Sequence, residues 1–168
     1  MKALFIGRFQ PFHKGHLKVI QDILKKYDEI IIGIGSSQYN HLLDNPFSEE
    51  ERKKMIQETF KKKNLTNYEI IAIPDIHDPP NWVSHVLSFV KDFDVIISNN
   101  ALTIKLFSDK GFTVVKTPPF EKEKYSGEVI RKRMINGLKW EDLVPEPVAD
   151  IIKDFNGVQR LIYLSNKL

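Results

Sequence analysis

The feature that most limits how this chain can fold is the run Ile30-Ile31-Ile32-Gly33-Ile34. An apolar run without alternation does not suit a sheet wet on one face. It fits a strand covered on both faces, as in parallel sheets. Ala3-Leu4-Phe5-Ile6 and Val95-Ile96-Ile97 repeat the pattern. Between the runs the apolar spacing becomes helical, as at Leu17, Ile20, Ile23, Leu24 and Tyr27. The spacing predicts strands over 2–7, 28–35, 68–73, 94–98 and 112–116. It predicts helices over 14–26, 48–63, from 81 onward, 101–109 and 126–136. Ser48 and Glu51 form a capping box, Asn81 is expected to cap the third helix, and Gly111 stops the fourth. The rest, 138–168, reads as helical, with Pro147 at a helix start and a break at Asn156-Gly157. Strands alternating with helices predict an α/β fold: one doubly wound, Rossmann-like domain over 1–168. Its five-stranded parallel sheet should run 3-2-1-4-5, with an α/β core over 1–116 and C-terminal helices within 117–168. In such sheets ligands bind beyond the carboxyl ends of the strands where strand order reverses. Strands 1 and 4 flank that point, which directs attention to the loops at 7–16 and 98–100.

Composition narrows the function classes. With no Cys there is neither a disulfide nor a thiolate metal site. No apolar run approaches the roughly 20 residues needed to span a bilayer, and the start of the chain offers no signal-peptide core. The net charge of +3 is too small to argue for nucleic acid. A cytoplasmic protein that engages neither membrane nor nucleic acid is expected. Arg is scarce beside Lys, so each Arg is weighed for its planar fork of donors. Arg8, Arg131 and Arg133 adjoin the two stretches discussed next, whereas Arg52 reads as a surface residue of its helix. The run Lys61-Lys62-Lys63 reads as a solvated helix end.

The turn after the first strand, Gly7-Arg8-Phe9-Gln10-Pro11-Phe12-His13-Lys14-Gly15-His16, gathers phosphate-compatible groups at a helix N-terminus. His13 and His16, three apart, can point to one side, and Gly15 allows close approach to the backbone. Two imidazole donors facing phosphates, a metal site lacking a nearby third ligand, and two surface histidines are the available readings. Neither a Walker loop nor a G-x-G-x-x-G fingerprint occurs. A second anion cradle lies at 126–133, with Ser126 as N-cap and Arg131 one turn in; the alternative is a plain capped helix. Trp82 offers a plane to stack a heterocycle, or folds onto the core. Asn99 and Asn100 serve as ligand contacts or as caps, and Ser36-Ser37-Gln38 is placed to meet a substrate. His41 and His77 read as bystanders, His85 as structural and Trp140 as core.

The H-x-G-H pattern after a first strand resembles the nucleotidyltransferase superfamily. The longer string from Gly7 to His16 is similar to the archaeal-type nicotinamide mononucleotide (NMN) adenylyltransferases. Tyr125-Ser126-Gly127-Glu128-Val129-Ile130-Arg131 matches that family's second signature, with Glu128 where the family has Thr. The resemblance implies transfer of AMP from ATP to NMN, giving NAD+ and pyrophosphate. It implies ATP contacts from Gly7, Arg8, Phe9, Gln10, His13, His16, Ser126 and Arg131, with His16, His13, Arg131 and Lys14 catalytic. Trp82 would stack the nicotinamide ring, and Asp75, Ser36, Asn99 and Arg133 would meet the acceptor. Mg²⁺ would ride on the ATP phosphates without a metal site of the protein's own, and a homo-oligomer is implied. Adenylyl or cytidylyl transfer to nicotinate mononucleotide or pantetheine phosphate, and a non-catalytic nucleotide-binding module, are the alternatives.

Overall fold

The computed structural model describes residues 1–118 and 120–167. Pro119, and Leu168 at the end of the stretch read from sequence as helical, lie outside the described residues. Five strands form the sheet: β1 (Lys2–Gly7), β2 (Glu29–Gly35), β3 (Tyr68–Ile73), β4 (Val95–Ile97) and β5 (Thr113–Val115). All are parallel, in the order β3-β2-β1-β4-β5. The helices are α1 (Lys14–Leu24), α2 (Glu49–Lys62), α3 (Trp82–Phe89), α4 (Ala101–Asp109), α5 (Gly127–Ile135), α6 (Glu146–Asp154) and α7 (Gly157–Asn166). The sheet order and the element sequence agree with the expectation from periodicity, with boundaries shifted by at most a few residues.

Successive strand residues point to opposite faces, and the sheet builds two apolar layers from that alternation. Ala3, Ile30, Ile32 and Ile34 face a large layer shared with α1, α2, α5, α6 and α7. Leu4, Ile31, Ile73 and Ile96 face a smaller layer shared with α3 and α4. This is why the isoleucine run does not alternate: both faces of β2 are covered. Trp140 is buried in the large layer, as expected of a core residue.

Local chemistry sets the helix starts. At α2 the Ser48 hydroxyl accepts from Glu51 N at 3.2 Å while Ser48 N donates to Glu51 Oε1 at 2.8 Å, which is the capping box read from sequence. At α3 the expectation holds in position only. Asn81 is the N-cap of the helix that opens on Trp82, but it closes a 3-10 turn over Pro79–Asn81, and its Nδ2 donates to Asp78 Oδ2 at 2.6 Å, so its side chain makes no cap bond. The two prolines pre-set φ for that tight turn.

Arg52 corrects a second expectation. It is fully buried, 0% exposed, and donates to backbone carbonyls from the ends of β1 and β2. At the far side Arg160 makes a two-pronged ion pair with Glu51, at 2.7 and 2.8 Å, and donates to Pro46 O at 2.9 Å. This ties α7 to the start of α2 and to the loop before it. Among the described residues no helix is long and apolar enough to cross a membrane.

Candidate active site

The loop between β1 and α1 is held by its own side chains. Gln10 is 3% exposed and exchanges two bonds with Phe47, Nε2 to O and N to Oε1, both 2.9 Å. Phe9 and Phe12 fall inward into the apolar layer below. Thus Phe9 and Gln10, read as nucleotide contacts, build the floor of the site with their side chains, although both also line the cavity described below.

His13 and His16 form a capping box of an unusual kind. His16 N donates to His13 Nδ1 at 3.3 Å and His13 N donates to His16 Nδ1 at 3.2 Å. A backbone N–H can donate only into a ring nitrogen with a free lone pair. Both rings therefore carry their hydrogen on Nε2, and each presents a neutral N–H donor. The rings stack with centroids 3.5 Å apart and planes 20° from parallel. Burial lowers the His13 pKa to about 3. Burial, and then the neighbouring His13, lower that of His16 well below its usual value. At neutral pH the pair supplies two hydrogen-bond donors and no charge. Gly15 leaves room for this stack. A Cβ there would lie 2.9 Å from the His13 ring and 3.0 Å from Tyr125 Cβ. Glycine here lets the second cradle close on the first, and it also lines the third cavity described below.

The second cradle starts as expected. Ser126 Oγ accepts from Val129 N at 3.1 Å. Arg131 is buried and donates to Gln10 O at 2.8 Å, joining the two stretches across 121 residues. Burial lowers its pKa, with Arg8 adding to the effect. A Cβ on Gly127 would meet Arg131 Nη1 at 2.7 Å and Gln10 O at 3.0 Å, so only glycine fits that seam. Glu128, at the departure from the resembled signature, pairs on the surface with Lys132 at 3.1 Å.

Three cavities meet around these loops. The first, about 760 Å³, lies between the two cradles and is lined by Arg8, His16, Ser126, Gly127 and Arg131. Lys122, Lys132, Asp44 and Glu128 also face it. The second, about 400 Å³, is lined by Gly7, Arg8, Ser36, Asp75, Asp78 and Trp82, among others. The third, about 740 Å³, runs past His13, Gly15, His16, Asn99 and Tyr125. Arg8 belongs to the first two and His16 to the first and third, so the three form one connected site at the carboxyl edge of the sheet. The Arg8 guanidinium is exposed, with only long contacts to Asp44 O at 3.5 Å and Asn45 Oδ1 at 3.4 Å.

Other expected residues fall as follows. Trp82 lines the second cavity and also packs against the smaller apolar layer, so the core contact read for it is present and one part of the ring faces the cavity. Asp75 Oδ1 accepts from His77 N at 2.9 Å, and Gln38 exchanges two bonds with the Asp75 backbone. Asn99 exchanges two bonds with Thr117 and holds β4 to β5. Asn100 is the N-cap of α4. His85 Nε2 meets Pro74 O at 2.7 Å, the structural role read for it. His77, read as a bystander, lines the second cavity and meets the Tyr39 hydroxyl at 2.5 Å. His41 lines none of the three cavities and meets Asn40 Oδ1 at 2.7 Å. Lys14 and Arg133 stand apart. Lys14 is exposed, Arg133 donates to Lys139 O at 3.0 Å, and neither lines any of the three cavities.

Sequence reasoning missed Arg52, Asp44, Lys122 and Lys132. A signal for Arg52 was present. It lies on the same helical stripe as Met55, Ile56 and Phe60, which marks an inward face. The other three sit on loops or an exposed helix face, where no periodicity reports direction. Among the described residues, no group of three or more His, Asp or Glu could hold a metal. The first cavity gathers cations with two carboxylates, Asp44 and Glu128, the latter paired with Lys132. That donor set fits a cation brought in on a polyphosphate.

Comparison with known proteins agrees with this geometry. The sequence profile of the Cytidylyltransferase-like family matches residues 4–133. The nicotinamide-nucleotide adenylyltransferase of Methanosarcina mazei is 47% identical over 160 residues, 95% of this chain and 92% of the relative. That of Archaeoglobus fulgidus is 44% identical over 172 residues, 99% of both chains. In structure, the chain is similar to a bifunctional NMN adenylyltransferase/ADP ribose pyrophosphatase from Francisella tularensis, complexed with AMP and a manganese ion. The TM-score is 0.80 at 23% identity, covering 99% of this chain and 53% of the larger one. At that identity the likeness speaks for the fold alone.

Proposed function

The chain belongs to the Cytidylyltransferase-like family, and on that premise we propose that it transfers AMP from ATP to nicotinamide mononucleotide, forming NAD+ and pyrophosphate. The observation that carries this reading is the connected site. A phosphate cavity lined by Arg8, His16 and Arg131 opens through Arg8 onto a second cavity lined by Trp82.

The chemistry follows from charge. The acceptor's 5′-phosphate has a second pKa of about 6 and is an anion at neutral pH, so no general base is required. An oxygen of that phosphate attacks the ATP α-phosphorus in line. The bond from the α-phosphorus to the bridging oxygen breaks, and pyrophosphate leaves with the electron pair. The protein aligns two anions and stabilises charge on the α-phosphoryl oxygens. In this reading His16 donates through Nε2–H to the α-phosphate, with His13 beside it. Arg8 and Arg131 neutralise the outer phosphates, and Ser126 begins the helix whose N-terminus faces them. Lys14 and Arg133 contribute only at longer range. A divalent cation, Mg²⁺ in this reading, would come in on the ATP phosphates and offset their charge, with Asp44 as the carboxylate that would face it.

Asp75 and Asp78 beside Trp82 favour a neutral carboxamide over a carboxylate, since like charges repel. This supports nicotinamide over nicotinate. The adenosine would lie along the third cavity, past Asn99. The reading takes the chain as one nucleotidyltransferase domain working in the cytoplasm as a homo-oligomer. The test is pyrophosphate release from ATP and Mg²⁺ with NMN, nicotinate mononucleotide and pantetheine phosphate supplied in turn. Fastest release with NMN is expected. ATP binding without release for any acceptor would leave a nucleotide-binding module instead.

A further inference from the structure

Arg52 lies outside all three cavities, yet its guanidinium touches the backbone that shapes two of them. Its acceptors are backbone carbonyls throughout. Nε donates to Ser48 O at 3.1 Å, and Nη1 donates to Arg8 O and Gly35 O, both at 2.9 Å. Nη2 reaches Ser36 O and Tyr39 O at 3.3 Å and Ser37 O at 3.4 Å. Five N–H groups thus meet six carbonyls. Among the described residues no carboxylate lies within ion-pair distance of it. A buried charge without a partner carboxylate carries a desolvation penalty that an aliphatic side chain would avoid. The neighbouring inward residues of α2, Met55, Ile56 and Phe60, show that apolar packing suits this face. The cation therefore does something that packing does not.

What it does follows from where the carbonyls lie. The ladder between β1 and β2 ends at the pair Gly7 and Ile34. Beyond that point no further ladder pair joins the two strands. One continues through Arg8, whose side chain lines both the phosphate and the acceptor cavity. The other continues through Gly35 and Ser36, which line the acceptor cavity. Ser36 has φ +47°, a left-handed conformation that a serine does not favour unaided. The two shortest bonds of Arg52 bridge the gap where the ladder has stopped, and its weaker ones hold the turn after β2.

We propose that Arg52 is a positioning residue that fixes the spacing between the phosphate cavity and the acceptor cavity, and so the line of attack of the acceptor phosphate on ATP. The inference rests on the function proposed above. It touches no reacting atom. In-line transfer depends on both substrates being held in register, and a shift of about 1 Å costs on the order of 10²-fold in rate.

Arg52→Lys tests it, because lysine keeps the charge but offers three donors in place of a planar fork. ATP, NMN and NAD+ binding are measured by calorimetry on wild type and variant, alongside turnover with Mg²⁺. NAD+ spans both cavities, so it reports their spacing, whereas ATP and NMN each report mainly one side. The expected result is ATP and NMN affinity within about 3-fold of wild type, NAD+ affinity down about 10-fold or more, and kcat down about 10- to 10²-fold. Equal loss for all three ligands, or unchanged kcat, would overturn the proposal. Arg52→Gln, which keeps amide donors and no charge, serves as second variant if the lysine form lacks a cooperative unfolding transition. Loss of that transition in both makes Arg52 a residue of the fold only and also overturns it. Wild-type protein that releases no pyrophosphate with NMN would instead overturn the proposed function, so the two failures are distinct.

Discussion

The stretch from Gly7 to His16 and the stretch from Ser126 to Arg133 line the same cavity but are held in different ways. In the first, the structural polar groups already have protein partners. Gln10 is spent on Phe47, each histidine Nδ1 accepts from the other's backbone, and the carbonyls of Arg8 and Gln10 are taken by Arg52 and Arg131. What remains for a ligand is a pair of Nε2–H donors and the Arg8 fork. In the second, the polar holding is the cap at Ser126 and the bond from Arg131 to Gln10 O, and Ile130 and Met134 anchor the helix in the apolar layer. Glu128 and Lys132 pair in the open, about 70% exposed. The first stretch is preorganised and presents directed neutral donors. The second adds the buried guanidinium of Arg131 and turns Glu128 and Lys132 outward.

That contrast can be broken at its strongest point first. His16→Ala removes a directed donor and should lower kcat by about 10²–10³-fold, the scale of one lost transition-state donor. Pyrophosphate release, with a thermal melt confirming the fold, measures it. A folded variant with near-wild-type turnover would refute the role assigned to the preorganised half. Next comes the link between the halves. Arg131→Met keeps volume but removes a charge-assisted donor worth about 1.5–3 kcal/mol, so turnover should fall about 10- to 10²-fold. Weaker ATP binding is expected with it, and titration calorimetry reads both terms.

The neutral state of the histidines gives a third test, in the ligand-free protein. His13 titrates near 3 in the fold, against about 6.5 when unfolded. Between those values the unfolded chain binds more protons, so stability rises with pH across that window. It is complete above about pH 6.5 and is lost as pH falls toward 3. A drop to about pH 5 should cost about 2 kcal/mol from His13 alone, read from denaturant midpoints. His13→Asn, which keeps an N-cap acceptor, should flatten the slope. An unchanged slope would mean that the buried imidazole is not the source. The smallest effect belongs to the second stretch. Glu128→Thr removes an exposed carboxylate at the cavity edge and should lower the KM for ATP by no more than a few-fold, with kcat and melting temperature unchanged. A large change in kcat would erase the distinction drawn between the two halves.

Much of this was legible beforehand. The isoleucine run and the helical spacings gave the sheet, its order and every helix. The paired glycine–histidine and serine–arginine stretches gave two walls of the cavity between them. The failures share a cause. Asn81 stands at the N-cap as read, but two prolines upstream commit the backbone to a 3-10 turn and its side chain bonds Asp78 instead of the helix. Arg52 was read as exposed because charge on a helix usually is, although its position on the stripe of Met55 and Ile56 pointed inward. Arg133 and Lys14 carry the right charge next to the right motifs, but helix geometry turns them away from the cavities.

The sequence by itself determined what depends on period and on local spacing: buried parallel strands, capped helices and two phosphate-compatible turns at helix starts. It also carried the family signature. Only the tertiary structure decided which nitrogen of each histidine is left to donate, because that depends on two backbone N–H groups three residues apart occupying both Nδ1 atoms. It alone joined residues 10 and 131 through one guanidinium, and it alone brought six carbonyls around Arg52. Periodicity reports which way a side chain faces. It does not report which distant carbonyl is waiting there, and at this site those long-range hydrogen bonds set the geometry.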